Sequence, residues 1–323
     1  MLYPFIFQPI FKERIWGGRE IETLFGKKLP PGQSIGESWE VSDRPGDESV
    51  VQNGEYAGKT LRWLMEKFPR DILGDAKAAA GNHFPILCKI LDAREKLSLQ
   101  VHPPAHKAAA MGGEPKTEMW FIAGAAPGAE LYAGLKNGVT RAQFEKKLSD
   151  GTVADCFHRI PVKPGDTMFL PSGRVHAIGS GLVIFEIQQN SDTTYRLFDW
   201  NRVGTDGKPR ELHIAQSLAN MDFNDFEPKL VDKIFSGDDR FKSRPLVRDA
   251  LFDVDQMETK AGAANSLKPR KLQIVAVVSG QIKIQCATPV SVRAGQFCLV
   301  PACLERTEVV AESDGMWLRV EAH

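Results

Sequence analysis

The sequence predicts a mainly β protein made of barrel-like units with a few peripheral helices, and three observations lead there. Short apolar segments recur between clusters of Gly, Pro, Asn and Asp, the punctuation of sandwiches and barrels. Several of these segments alternate polar and apolar residues with a period of two, which sends alternate side chains to opposite faces of a strand. A turn pattern also occurs twice: Gly165, Pro171, Gly173 and His176 follow Gly-x5-Pro-x-Gly-x2-His, and Gly295, Pro301, Cys303 and Arg306 repeat the spacing without the histidine.

In chain order, the strands expected in the first part are 38–41, 84–91, 97–101, 118–122, 167–170 and 182–188. Helices are expected over 60–68, closed by Pro69, over 140–148, where Thr140 and Gln143 have capping-box spacing, and over 211–220. They should pack outside a barrel. The charged, weakly periodic stretch 224–248 reads as a connection, with the strands of the second unit starting near Leu251. The expected division is a catalytic, metal-binding unit over 1–235 with helical insertions, and a smaller degenerate unit over 236–323 without metal ligands. The run Val277-Val278-Ser279-Gly280-Gln281 supplies a strand and turn ahead of the second copy of the pattern.

Over 323 residues, 41 basic and 41 acidic side chains cancel and no block of like charge stands out, which argues against nucleic-acid or acidic-membrane partners. A local cationic pocket stays compatible with that balance. The five cysteines (Cys88, Cys156, Cys286, Cys298, Cys303) contain no CxxC pair and read as reduced core thiols. The apolar start carries Pro4 and Pro9 and runs into Lys12, Glu13 and Arg14, unlike a signal peptide. No apolar run approaches the ~20 residues needed to cross a bilayer, so a cytoplasmic location is expected.

The segment Leu97-Ser98-Leu99-Gln100-Val101-His102 alternates strictly, placing Ser98, Gln100 and His102 on one strand face. A row of Ser, Gln and His directed inward is costly unless something bonds it. A divalent metal would take a nitrogen from His102 and an oxygen from Gln100. Glu118, opening the next strand, would add a carboxylate, and His176, after the Pro-x-Gly turn, a second imidazole. Two imidazoles, one carboxylate and a neutral oxygen leave a position open for water or substrate, as a catalytic zinc requires. Lys89 is the sole charge in Ile86-Leu87-Cys88-Lys89-Ile90-Leu91; it either enters the pocket or snorkels outward. His83, His106, His158, His213 and His323 lack such context.

The second turn pattern of the cupins is similar to Gly165-x5-Pro171-x-Gly173-x2-His176. Gln100-x-His102 followed by Glu118 resembles the first cupin motif as modified in type I mannose-6-phosphate isomerases. Further matches to the short bacterial branch of that family are Ile15-Trp16-Gly17-Gly18, Gly36-Glu37-Ser38-Trp39-Glu40, Lys116-Thr117-Glu118-Met119-Trp120, Asp192-Thr193-Thr194-Tyr195-Arg196 and Phe198-Asp199-Trp200. The resemblance is strong over residues 3–222 and weak beyond. It implies a tandem cupin (jelly-roll β-barrel) fold and one Zn2+ per chain held by His102, Glu118, His176 and Gln100.

The same resemblance implies Arg196 as the catalytic arginine, where the residues alone equally allow a salt bridge to Asp192 or Asp199, and Lys116 as a cation facing the substrate. Ser98 is a candidate for a phosphate hydrogen bond and Glu186 for the substrate side of its strand. The expected activity is aldose–ketose isomerisation of mannose 6-phosphate and fructose 6-phosphate through an enediol. Lys89 or Lys116 with a lowered pKa, or a zinc-bound water, would serve as base. The expected partner is a small sugar phosphate, and the expected state a monomer or weak homo-oligomer. Two other classes use the same residues: a sugar-binding cupin without turnover, and an Fe(II)-dependent cupin oxygenase.

Overall fold

A computed structural model describes residues 1–203 and 207–323. The protein is mainly antiparallel β, and its two largest sheets face each other across one apolar core. The first has six strands in the order Thr167–Leu170, Glu118–Ala125, Leu182–Gln189, Ile86–Ala93, Ile10–Gly18 and Ile35–Val41, with a further pairing between Ile86–Ala93 and Ile35–Val41. The second has seven, among them Phe241–Arg248, Phe252–Thr259, Gly315–Ala322, Gln273–Ser279 and Phe297–Val300. The short Phe5–Ile6 strand crosses over to pair with Phe297–Val300.

Strand Ile86–Ala93 is buried along its whole length because it serves two cores. Ile86, Cys88 and Ile90 enter the core between the large sheets, while Leu91 and Ala93 belong to a separate cluster with Trp16, Trp120 and Ile184. Lys89 shares the parity of the second set, so the pleat carries it away from the apolar core.

A five-stranded sheet, in the order Phe157–Pro161, Glu130–Leu135, His176–Ile178, Leu99–Val101 and Tyr195–Phe198, makes the other wall of the first barrel. The expected alternation holds over the strand Leu99–Val101, where Leu99 and Val101 pack outward with Phe144 of helix Arg141–Ser149, but not at Leu97, which precedes the strand and packs inward with Trp16 and Leu91. The capping box of that helix is present. A four-stranded sheet (Ala264–Ser266, Glu308–Ala311, Gln281–Gln285, Val290–Arg293) closes the C-terminal half around Met257, Val275, Ile284 and Trp317.

Other expectations change. Residues 241–248 are a full strand paired with Phe252–Thr259, not part of a connection. Pro245 sits at a register shift, and the basic residues hide the period: Arg244 is 1 % exposed and hydrogen-bonded to Gln256. The helix expected over 60–68 does stop ahead of Pro69, running Leu61–Lys67, and Pro69 itself starts a second short helix, Pro69–Leu73, at its first turn, where the missing N–H costs nothing. The last expected helix begins only at Ile214. Among the thiols, Cys88, Cys156 and Cys298 are buried as expected, but Cys303 is exposed and Cys286 half-buried. Among the described residues no helix is long and apolar enough to cross a membrane.

Candidate metal centre and active site

His102, Glu118 and His176 converge inside the first barrel, with ligand atoms within 4.8 Å of one another and all three side chains buried. Each comes from a different strand position. His176 lies opposite Gln100 in the sheet, and the Gly173 N–H donates to the His102 carbonyl at 2.9 Å, so the Pro-x-Gly turn is tied to the first histidine. Gly173 has φ +93°, a conformation side chains oppose, which explains glycine at that turn.

The tautomers follow from the partners. His102 Nδ1 is 2.9 Å from the Thr193 carbonyl and His176 Nδ1 is 2.9 Å from the Arg174 carbonyl. A carbonyl only accepts, so Nδ1 carries the proton in both rings and each Nε2 presents a lone pair. Those lone pairs face the carboxylate: His176 Nε2 is 3.2 Å from Glu118 Oε1, and His102 Nε2 is 3.6 Å from Oε2. Oε2 is met on one side by the Lys116 ammonium, while Glu118 Oε1 has no hydrogen-bond donor among the described residues. Buried acceptors pointed at one another are unfavourable until a cation stands between them. The donor set therefore fits a divalent ion, and the Nδ1–carbonyl contacts are the arrangement that orients metal-bound imidazoles.

Burial, with Lys116 adding to it, lowers the pKa of His102, and burial brings His176 down to about 3, so both rings are neutral as ligands must be. Burial opposes ionisation of Glu118, but Lys116 and His102 outweigh it and hold the carboxyl well below its usual range. Lys116 Nζ stands 2.8 Å from Glu118 Oε2 and 3.5 Å from His102 Nε2. Burial would lower its pKa, yet the Glu118 and Glu186 carboxylates raise it overall. The terminal amide of Gln100 lies 3.4 Å from His176 Nε2, beside the three ligands.

Next to the cluster lies a cavity of about 470 Å³, lined from both sheets of the barrel. Gln100 and Lys116 join the two, each lining the cavity and touching the cluster. Ser98, Lys89, Glu186 and Arg196 also line it. Lys89 is 3 % exposed and does not snorkel outward. Glu186 accepts from Trp120 Nε1 at 2.9 Å, and burial raises its pKa. Asp199 is occupied by Arg202 and Arg210 at 2.5 and 2.6 Å, leaving the Arg196 guanidinium to line the cavity while its Nη1 donates to the Glu211 carbonyl at 2.8 Å.

Ten lining residues were not read as site residues, among them Arg14, Trp16, Glu37, Asp192 and Arg210. Trp16, Glu37 and Asp192 stand in runs matched above; Glu37 shares its buried strand with Ser38 and Glu40, so it lacks the sole-charge signal that marked Lys89. Arg14 and Arg210 have no local signature. Gly36 admits two of these side chains, since a Cβ there would stand 2.6 Å from Arg14 Cβ and 2.7 Å from Trp16 Cζ3.

Comparison with known proteins identifies the family. The family profile described as phosphomannose isomerase type I, catalytic domain, matches residues 5–120. Mannose-6-phosphate isomerase ManA of Bacillus subtilis is 36 % identical over 286 residues, 86 % of either chain. The chain belongs to the type I phosphomannose isomerase family. The mannose-6-phosphate isomerase of Streptococcus mutans is 33 % identical over 93 % of either chain. The crystal structure of the mannose 6-phosphate isomerase from Bacillus subtilis superposes with a TM-score of 0.89 at 30 % identity, covering 99 % of both chains. The fold is thus that of the type I phosphomannose isomerases, a cupin-like architecture.

Proposed function

We propose that the chain interconverts mannose 6-phosphate and fructose 6-phosphate with one Zn2+ held by His102, Glu118 and His176, and with Gln100 completing the set. The observation that carries this is the buried cluster of two imidazole lone pairs and a carboxylate, with Glu118 Oε2 met by Lys116 and Oε1 turned to His176, at the edge of a polar cavity. Two nitrogens and an oxygen suit zinc and leave room for substrate oxygens.

Isomerisation moves a proton between C2 and C1 through an enediol, and the difficulty is the negative charge that develops on oxygen. When bound, the ion supplies Lewis-acid polarisation of the sugar's carbonyl group. Arg196 places a permanent planar cation at the cavity wall, suited to stabilising the enediolate and ill suited to removing a proton. Lys116, kept charged by Glu118, adds a second positive group facing the substrate. Lys89, Ser98 and Glu186 hold the hydroxyl and phosphate groups of the open-chain sugar, which positions C1 and C2.

We further infer that residues 1–235 form the catalytic unit and 236–323 a smaller, structural one. In support, Gly165 and Gly295 have φ of +84° and +77°, and each precedes a four-residue strand, Thr167–Leu170 or Phe297–Val300. The counterpart of His176 is the exposed Arg306. Five unpaired thiols favour a reducing, cytoplasmic setting.

The test is a coupled assay for fructose 6-phosphate formed from mannose 6-phosphate. Arg196→Ala is expected to lower kcat by about 100-fold or more, the scale of a lost oxyanion partner. A folded, zinc-loaded wild type that forms no product would contradict the proposal.

A further inference from the structure

Lys89 does not stand in the cavity alone. Its own strand offers only apolar neighbours, but the adjoining strands place a carboxylate on either side: Nζ is 3.4 Å from Glu37 Oε2 and 3.5 Å from Glu186 Oε1. The ammonium also lies 4.8 Å from the centroid of the Trp39 ring. Both carboxylates are themselves fixed. Glu37 accepts from Arg14 Nε through Oε1 and from Trp39 Nε1 through Oε2, each at 2.7 Å, while Glu186 accepts from Trp120.

A lysine has four rotatable side-chain bonds and points where charge directs it. The cavity holds a second attraction, the Glu186 carboxylate 3.5 Å away on the strand that pairs with the one bearing Glu118. Lys116 already serves Glu118 at 2.8 Å. Without a charge at Glu37, the Lys89 ammonium would be drawn to Glu186 and away from the far side of the cavity. Glu37 keeps that charge: burial opposes it, but Lys89 and Arg14 hold its pKa at about 2.

We infer that Glu37 is a positioning residue, a fixed carboxylate that sets where the Lys89 ammonium meets the anionic sugar-phosphate substrate. The inference rests on the proposed function, which makes this cavity the sugar-phosphate site and Lys89 one of its contacts. Glu37 acts through Lys89, with Arg14 and Trp39 as the props that keep its carboxylate still.

The experiment is a double-mutant cycle on the zinc-loaded protein with Glu37→Gln, Lys89→Met and the pair, reading mannose 6-phosphate binding by calorimetry and KM and kcat by the coupled assay. Glu37→Gln should weaken binding and raise KM about tenfold with kcat within about threefold, the pattern of lost uniform binding. In the Lys89→Met background the same change should add less than about twofold, because residues acting as a unit are not additive. Multiplicative effects, or a single variant within twofold of wild type, would overturn the inference. Glu37→Asp, which retains the charge, is the rescue variant and should recover most of the lost affinity; if Glu37→Gln fails to fold, as judged by urea unfolding, the equally neutral Glu37→Ala replaces it in the cycle. If wild type binds the ligand without turning it over, the activity proposal fails while the dissociation constants still decide the role of Glu37. If wild type does not bind it, the inference falls too.

Discussion

Arg244 is the polar tie between the C-terminal sheet and the turn that leads to the metal-bearing strands, and replacing it by Met should weaken the fold without touching the cavity. The guanidinium is 1 % exposed. Nε donates to Gln256 Oε1 at 2.7 Å, Nη1 to the Asp232 carbonyl at 3.2 Å and Nη2 to the Gly165 carbonyl at 2.6 Å, beside the ring of Phe235. Gly165 opens the turn before Thr167–Leu170, the one whose spacing recurs at Gly295.

Methionine keeps the apolar stem and removes three hydrogen bonds from a charged donor, each worth roughly 1.5–3 kcal/mol by deletion. Against that loss, the variant no longer buries an ion, a cost of several kcal/mol that shows in the lowered Arg244 pKa. The two carbonyls left behind become unsatisfied unless water reaches them, so the net expectation is a loss of about 2–4 kcal/mol. Urea unfolding followed by tryptophan fluorescence measures it. A change below about 0.5 kcal/mol, or a gain, would refute the reasoning, since surface substitutions behave that way.

Asp92 carries a pH signature: burial lifts its carboxyl from the ordinary 3.8 to about 6, although Oδ2 accepts from the Glu20 and Ile21 amides. The folded state keeps a proton that the unfolded chain has lost, so stability falls as pH rises through that window and is level above it. Asp92→Asn keeps the acceptor and removes the titration, so its stability relative to wild type should rise by up to about 3 kcal/mol between pH 4 and pH 7; a pH-independent difference would contradict this. Under native conditions a thiol reagent should label Cys303 first and leave Cys88 and Cys298 untouched until denaturant is added, because only the first is exposed; early labelling of either buried thiol, read by mass spectrometry, would count against the packing described.

The centre of the site was legible because its geometry is local. The alternation through His102 is written in consecutive residues, and period two alone carries Gln100 and His102 inward and Leu99 outward. Lys89 was legible as a charge that an apolar strand does not tolerate without partners. Its partners were not, since Glu37 and Glu186 reach it only through strand pairing, which local pattern does not reveal. Arg14 and Arg210 were missed for the same reason. The strand 241–248 was hidden because Arg244 is compensated by carbonyls and a side chain distant in sequence, so a buried strand wore the composition of a linker.

The most direct test of the central claim is the rate of fructose 6-phosphate formation from mannose 6-phosphate, measured on the protein as purified, after chelation and after zinc is restored. The cluster of His102, Glu118 and His176 predicts that activity disappears on chelation and returns with zinc in wild type, and does not return in His102→Ala. Activity that survives complete removal of the metal would contradict the account.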